Sequence, residues 1–185
     1  GGDVSALQGT VKDELEGKSA YMKQVIRDRE VYKEMIDDLG TQLSSFAPLD
    51  MNQVVAFLKE VEFRLARLSD ERMVLKVFSA WPDKKLEVLR EAVCRKQELE
   101  KLMSNWDPES ERWMAKGDME SELGQVVDKF ESQSATVDWY LRCQEDLKKN
   151  FKSHGIPFDF SLVKDCQQAC VRLAKYVMGM VLEGR

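Results

Sequence analysis

Histidine, cysteine and long apolar runs are all scarce in this chain, and each scarcity closes off a class of function. One histidine occurs in 185 residues. His154 stands before Gly155 with no serine, cysteine or paired carboxylate spaced to complete a nucleophilic set, so it reads as a helix-terminus or surface residue. Cys166 and Cys170 lie one helical turn apart, but zinc would need two further ligands that no motif supplies beside them. With Cys94 and Cys143 they fit no secreted disulfide framework, and they are expected as free thiols in a reducing compartment. No glycine-rich loop follows a strand to cradle phosphate. Acidic groups such as Asp37-Asp38 and Glu60/Glu62 fit solvated helix faces better than paired acid–base carboxylates. No catalytic residue, metal or cofactor is therefore expected, and an enzyme is the least favoured reading.

No apolar run approaches the roughly 20 residues that span a bilayer, and no secretory leader is recognisable. Gly1-Gly2 reads as an expression scar. The net charge is −5, from 28 basic and 33 acidic residues. That disfavours a general nucleic-acid binder, which must neutralise phosphates. A protein partner is easier to accommodate, and the local clusters Lys84-Lys85 and Lys148-Lys149-Lys152 can face an acidic one.

What is present is helix-forming. Prolines number only four, and the abundance of Leu, Glu, Lys, Arg, Gln and Met favours helices over sheets. Val11, Leu15, Lys18, Met22, Val25, Arg29, Tyr32, Ile36, Leu39 and Leu43 alternate at spacings of four and three, the 3.5-residue repeat of a coiled-coil seam. Lys18 and Arg29 interrupt it. Three readings stay open, the least favoured being a polar contact site at Lys18 and Arg29; the other two concern the whole helix. One is a long helix packed on its own domain, with those two stems reaching solvent. The other is a dimerisation seam in which Leu15, Met22, Val25, Tyr32, Ile36, Leu39 and Leu43 meet a second copy.

A second helix is predicted from an Asp50 N-cap to about Phe78, with Arg72 on its apolar face and paired with a carboxylate such as Glu62. Trp81-Pro82-Asp83 turns the chain into a third helix ending near Met103. A break at Asn105-Trp106-Asp107-Pro108 and a short helix over 109–116 present Trp106 and Trp113, either as core plugs or as interface anchors. A long helix then runs from Gly117-Asp118 until Gly155 stops it, and Ser161 caps the last one. The expected fold is all-α and elongated. It comprises a long coiled-coil-like helix over 1–45, a candidate dimerisation arm, and a helical domain over 46–185.

The stretch Val54-Val55-Ala56-Phe57-Leu58, then Leu65, Leu68, Asp70-Glu71-Arg72, Val74-Leu75-Lys76, Phe78, Trp81-Pro82 and Leu89-Arg90-Glu91-Ala92, resembles the C-terminal domain of the plant chloroplast unusual positioning family. Lys152, Gly155-Ile156-Pro157 and Leu173-Ala174-Lys175 are similar to later landmarks of that family, in the same order. The likeness is dense in the first half and sparse between about 103 and 150. The Phe78-to-Trp81 spacing and the Trp106–Trp113 region depart from the founding member, which points to a paralogue, such as the petal growth anisotropy branch. The resemblance implies a helical domain shaped like the formin actin-assembly domain and continuing past Arg185, so that 46–185 would be a truncated part of it. It also implies a cytoskeletal role: binding actin, promoting filament assembly with profilin, and serving organelle positioning or cell shape. The location implied is cytoplasmic and cytoskeleton-associated, with the parent protein at the chloroplast outer envelope or the cell cortex. The petal branch implies cortical microtubules instead, with tubulin met by Lys84, Lys85, Lys148, Lys149 and Lys152. A passive helical scaffold is the third reading. No family contact residue maps one by one onto these positions.

Overall fold

The computed structural model describes residues 2–104 and 119–183, so Trp106, Trp113 and the short helix expected over 109–116 lie outside the described residues. Every regular element among the described residues is a helix: α1 (Gly2–Val31), α2 (Lys33–Ser45), α3 (Met51–Leu65), α4 (Glu71–Leu75), α5 (Asp83–Ser104), α6 (Met119–Ser153) and α7 (Ser161–Glu183). They divide into two compact units, Gly1–Phe46 with Val55–Leu86, and Ala47–Val54 with Glu87–Arg185. Residues 1–45, expected as an arm, thus share a unit with 55–86.

In the first unit, the long helix predicted over 11–43 is two helices meeting at Tyr32, whose backbone (φ −101°, ψ 11°) leaves helical values. The hydrogen-bond ladder continues through the joint, with Tyr32 N–H donating to Asp28 O at 2.9 Å and Ile36 N–H to Tyr32 O at 2.8 Å. The apolar period runs on across the joint. Val25, Ile36, Leu39 and Leu43 are fully buried.

The second predicted helix is also two. Past Leu65 the ladder changes to bonds spanning three residues, Arg67 N–H to Arg64 O and Leu68 N–H to Leu65 O, as helix ends commonly do. It then stops because the next groups find other partners. Ser69 donates its N–H (2.8 Å) and its hydroxyl (2.6 Å) to Asp28, and Asp70 caps α4 by accepting Met73 N–H at 3.0 Å. Side-chain bonds of this kind compete with continued helix. Arg72 on α4 is exposed, correcting the expectation that it sits within an apolar face.

Trp81 is buried on α2 at Gly40, where an added Cβ would come 3.4 Å from Trp81 Cε3 and 3.7 Å from Pro82 Cδ. A larger side chain at position 40 would displace the indole. Pro82 O accepts Leu86 N–H at 3.1 Å, so the proline sits at the start of α5, where its missing N–H costs nothing.

In the second unit α6 and α7 lie against each other. Val126, Ala169 and Leu173 form their core, with Leu102, Phe130, Cys170, Tyr176 and Val177 packed around it. Tyr140 is buried and donates its hydroxyl to Glu98, while Arg95 lies 4.4 Å over the Trp139 ring. Gly155, at φ +70°, ends α6. Ile156 N–H reaches Phe151 O (2.9 Å) and Gly155 N–H reaches Lys152 O (3.1 Å), the paired bonds of a Schellman stop, with Ile156 and Phe151 as its buried apolar contact. The side chain that caps α7 is Asp159, which accepts Ser161 N–H at 3.0 Å, rather than Ser161 itself.

Candidate interaction surfaces

The scarce reactive residues are placed structurally. His154 holds its Nδ1 2.9 Å from Asn150 O, closing the end of α6. All four cysteines are free. Cys166 is 2% exposed and donates its thiol to Leu99 O at 3.3 Å. Burial pushes that thiol up to about 11 and also raises Cys170, and protonated thiols are poor nucleophiles and poor ligands. Among the described residues, no group of three or more His, Cys, Asp or Glu is arranged to hold a metal.

The seam residues split into two sets. Val25, Ile36, Leu39 and Leu43 are buried and Tyr32 is half-buried, whereas Leu15 (62%) and Met22 are exposed. Leu7 (66%) and Val11 are exposed with them, and residues 6–20 are exposed throughout. Leu7, Val11 and Leu15 form an open apolar stripe along one face of α1.

Between the two sets lies a polar clamp that sequence reasoning missed. Asp28 is 4% exposed and accepts bonds from Gln24 (2.9 Å) and twice from Ser69. Burial alone would raise its carboxyl, but these bonds, with Arg27 nearby, outweigh burial and hold it below the usual carboxylate range. One residue on, Arg29 donates Nη2 to Met73 O, which explains the cation that interrupts the seam there. Tyr21 donates its hydroxyl to Asp70, raising the phenol and, with the Met73 amide, lowering Asp70. The sequence signal for the clamp was faint: an Asp at a position where the α1 period turns inward.

The lysines predicted as one partner patch fall in different units, Lys84 and Lys85 in the first and Lys148, Lys149 and Lys152 in the second. Lys85 donates to Phe46 O (2.7 Å) and Ser44 O (3.3 Å), fastening the end of α2, and burial lowers its pKa. Lys84 is exposed. Lys148, Lys149 and Lys152 are exposed on the last turns of α6. Lys148 Nζ lies 3.2 Å from Glu145 and 5.5 Å from the Phe160 ring centre, beside a groove of about 510 Å³ floored by Phe151, Ile156, Pro157 and Phe158.

No family model matches this chain. It is similar to an uncharacterised protein of Arabidopsis thaliana, with 29% identity over 175 residues that cover 93% of this chain. The same alignment covers 23% of that relative, so the chain spans less than a quarter of the relative's length.

Proposed function

We propose that this chain is a non-enzymatic cytoskeletal interaction domain that binds actin and promotes filament assembly with profilin-bound actin, two copies acting together. The parent protein would then serve organelle positioning or cell shape, at the chloroplast envelope or the cell cortex. Support comes first from the all-α architecture and from where the motifs behind the family resemblance fall. Asp70 caps α4, Trp81 rests on Gly40, and Gly155-Ile156 ends α6. These residues are joints of the fold, so what they favour is a shared helical platform, of the formin-assembly kind, more than any shared contact residue.

The observation that carries the reading is the exposed apolar first half of α1. Copies joined there hold two actin subunits near each other, and tethering raises effective concentration without tight single-site affinity. The test is fluorescence-monitored assembly of actin with profilin present. The expected result is a shortened lag that depends on the concentration of this protein; an unchanged lag with folded protein overturns the reading. The exposed Lys148, Lys149 and Lys152 favour a second reading, a microtubule adaptor meeting the acidic surface of tubulin. Its mark is co-sedimentation that falls steeply with salt, and binding that survives charge reversal of those three lysines counts against it.

A further inference from the structure

From the division of the heptad seam, we infer that a second copy of this chain docks on the first half of α1, over Leu7, Val11, Leu15, Lys18 and Met22, while the rest of the seam never leaves its own unit. This deepens the assembly reading above and rests on it only for its consequence; the surface itself is read from α1.

Three observations carry it. First, residues 6–20 are helical and exposed throughout, and Gly9 and Gly17 lie within that run with nothing for an added Cβ to touch. This half of α1 extends the packed half without contacts of its own, and each interior glycine costs it up to about 1 kcal/mol. A covering partner removes that deficit. Second, the occupant must match a narrow stripe with spacings of four and three, flanked by little net charge. Lys12 on the flanks stands against Asp13, Glu14 and Glu16, and Lys18 within the stripe brings residues 6–22 to a net charge of −1, too little to select a strongly charged partner. The same helix in a second copy carries the same stripe and the same low charge, and a two-fold pair presents one surface to itself. Third, Leu7, Val11, Leu15, Met22 and Ile26 are each between 36% and 66% exposed along one stripe, a run of apolar side chains long enough to form the centre of an interface of roughly 800 Å² per partner.

Lys18 lies in the middle of this stripe, where a polar seam residue lowers stability while fixing register. The pairing is therefore short and concentration-dependent. Unlike the period alone, the structure excludes Val25, Ile36, Leu39 and Leu43 from the contact, because they are buried in the chain that carries them.

The experiment is the mass of the full chain across a concentration series by light scattering or sedimentation, without actin. Wild type should pass from monomer towards dimer as concentration rises. Leu15→Glu should leave a monomer with unchanged core stability, since Leu15 touches no core. Lys18→Leu should shift the midpoint to at least tenfold lower concentration, and Ala20→Glu, on the opposite exposed face, should leave it unmoved. Wild type that stays monomeric, or a dimer that survives Leu15→Glu, overturns the inference. A dimer without effect on actin overturns the assembly reading and leaves this surface standing.

Discussion

Asp28 shows how much one residue decides here. It is the buried carboxylate in the first unit's helical framework, and three donors converge on it from α1 and from the turn before α4. Asn in its place keeps the shape and can still accept from Ser69 through its carbonyl oxygen, but it sets an amide N–H against the Gln24 amide and removes the charge that strengthens the Ser69 bonds. Asp28→Asn should therefore destabilise the chain by about 2 kcal/mol at neutral pH. Its pH dependence follows from a folded-state pKa that lies below the unfolded one. The carboxylate's contribution is complete above the unfolded value of about 3.9 and is lost as pH falls through the lower folded value. Urea unfolding at neutral and acid pH checks this: the gap between wild type and variant should hold down to about pH 5 and close at lower pH. A gap that persists in strong acid would show that the charge is not its source.

At the scale of the helix, the elements that were legible in the sequence are those whose ends are set by neighbours in the chain. Gly155 is the clear case, because a glycine after a 3.6-period run needs nothing distant to stop it, and Asp50 likewise caps α3 through Gln53 N–H at 2.9 Å. The α3–α4 break was illegible for the opposite reason. The group that takes the Ser69 amide and hydroxyl is Asp28, 41 residues away in sequence, and no local pattern announces it. The seam was half legible: its period reports that α1 and α2 present one apolar face, but a period does not say what covers that face. Local control at Gly155 also makes it testable. An added Cβ there meets nothing, so the cost of substitution is purely the left-handed backbone. Gly155→Ala should lose about 1 kcal/mol and Gly155→Asn less, because Asn tolerates that conformation. Equal losses in denaturant unfolding would mean that contacts, not backbone conformation, set the cost.

For the molecule as a whole, the chain's path matters more than its helix count. It passes between the two units at 46/47, 54/55 and 86/87, so no single cut separates them. A boundary at residue 46, natural from the sequence because Phe46-Ala47-Pro48 breaks the helical period, divides the first unit rather than bounding it. A fragment of residues 46–185 would keep Leu58, Val61, Leu65, Leu68, Val74 and Leu75, all buried in the full chain, while losing α1 and α2 from their unit. Each such side chain is worth about 1.5–3 kcal/mol when buried, and their sum reaches the whole margin of about 5–15 kcal/mol by which domains are stable. Losing the Asp28 and Arg29 bonds to Ser69 and Met73 removes the clamp on α4 as well. Limited trypsin digestion read by mass spectrometry should then show new cleavage at Lys59, Arg64, Arg67 and Lys76 in the fragment. The α6–α7 pair, whose core of Val126, Ala169 and Leu173 lies outside the deleted segment, should stay as protected as in the full chain. If 55–86 resists digestion equally in both, then α1 and α2 are not what holds this unit together. The second half of α1 would then be as free to meet a partner as the first.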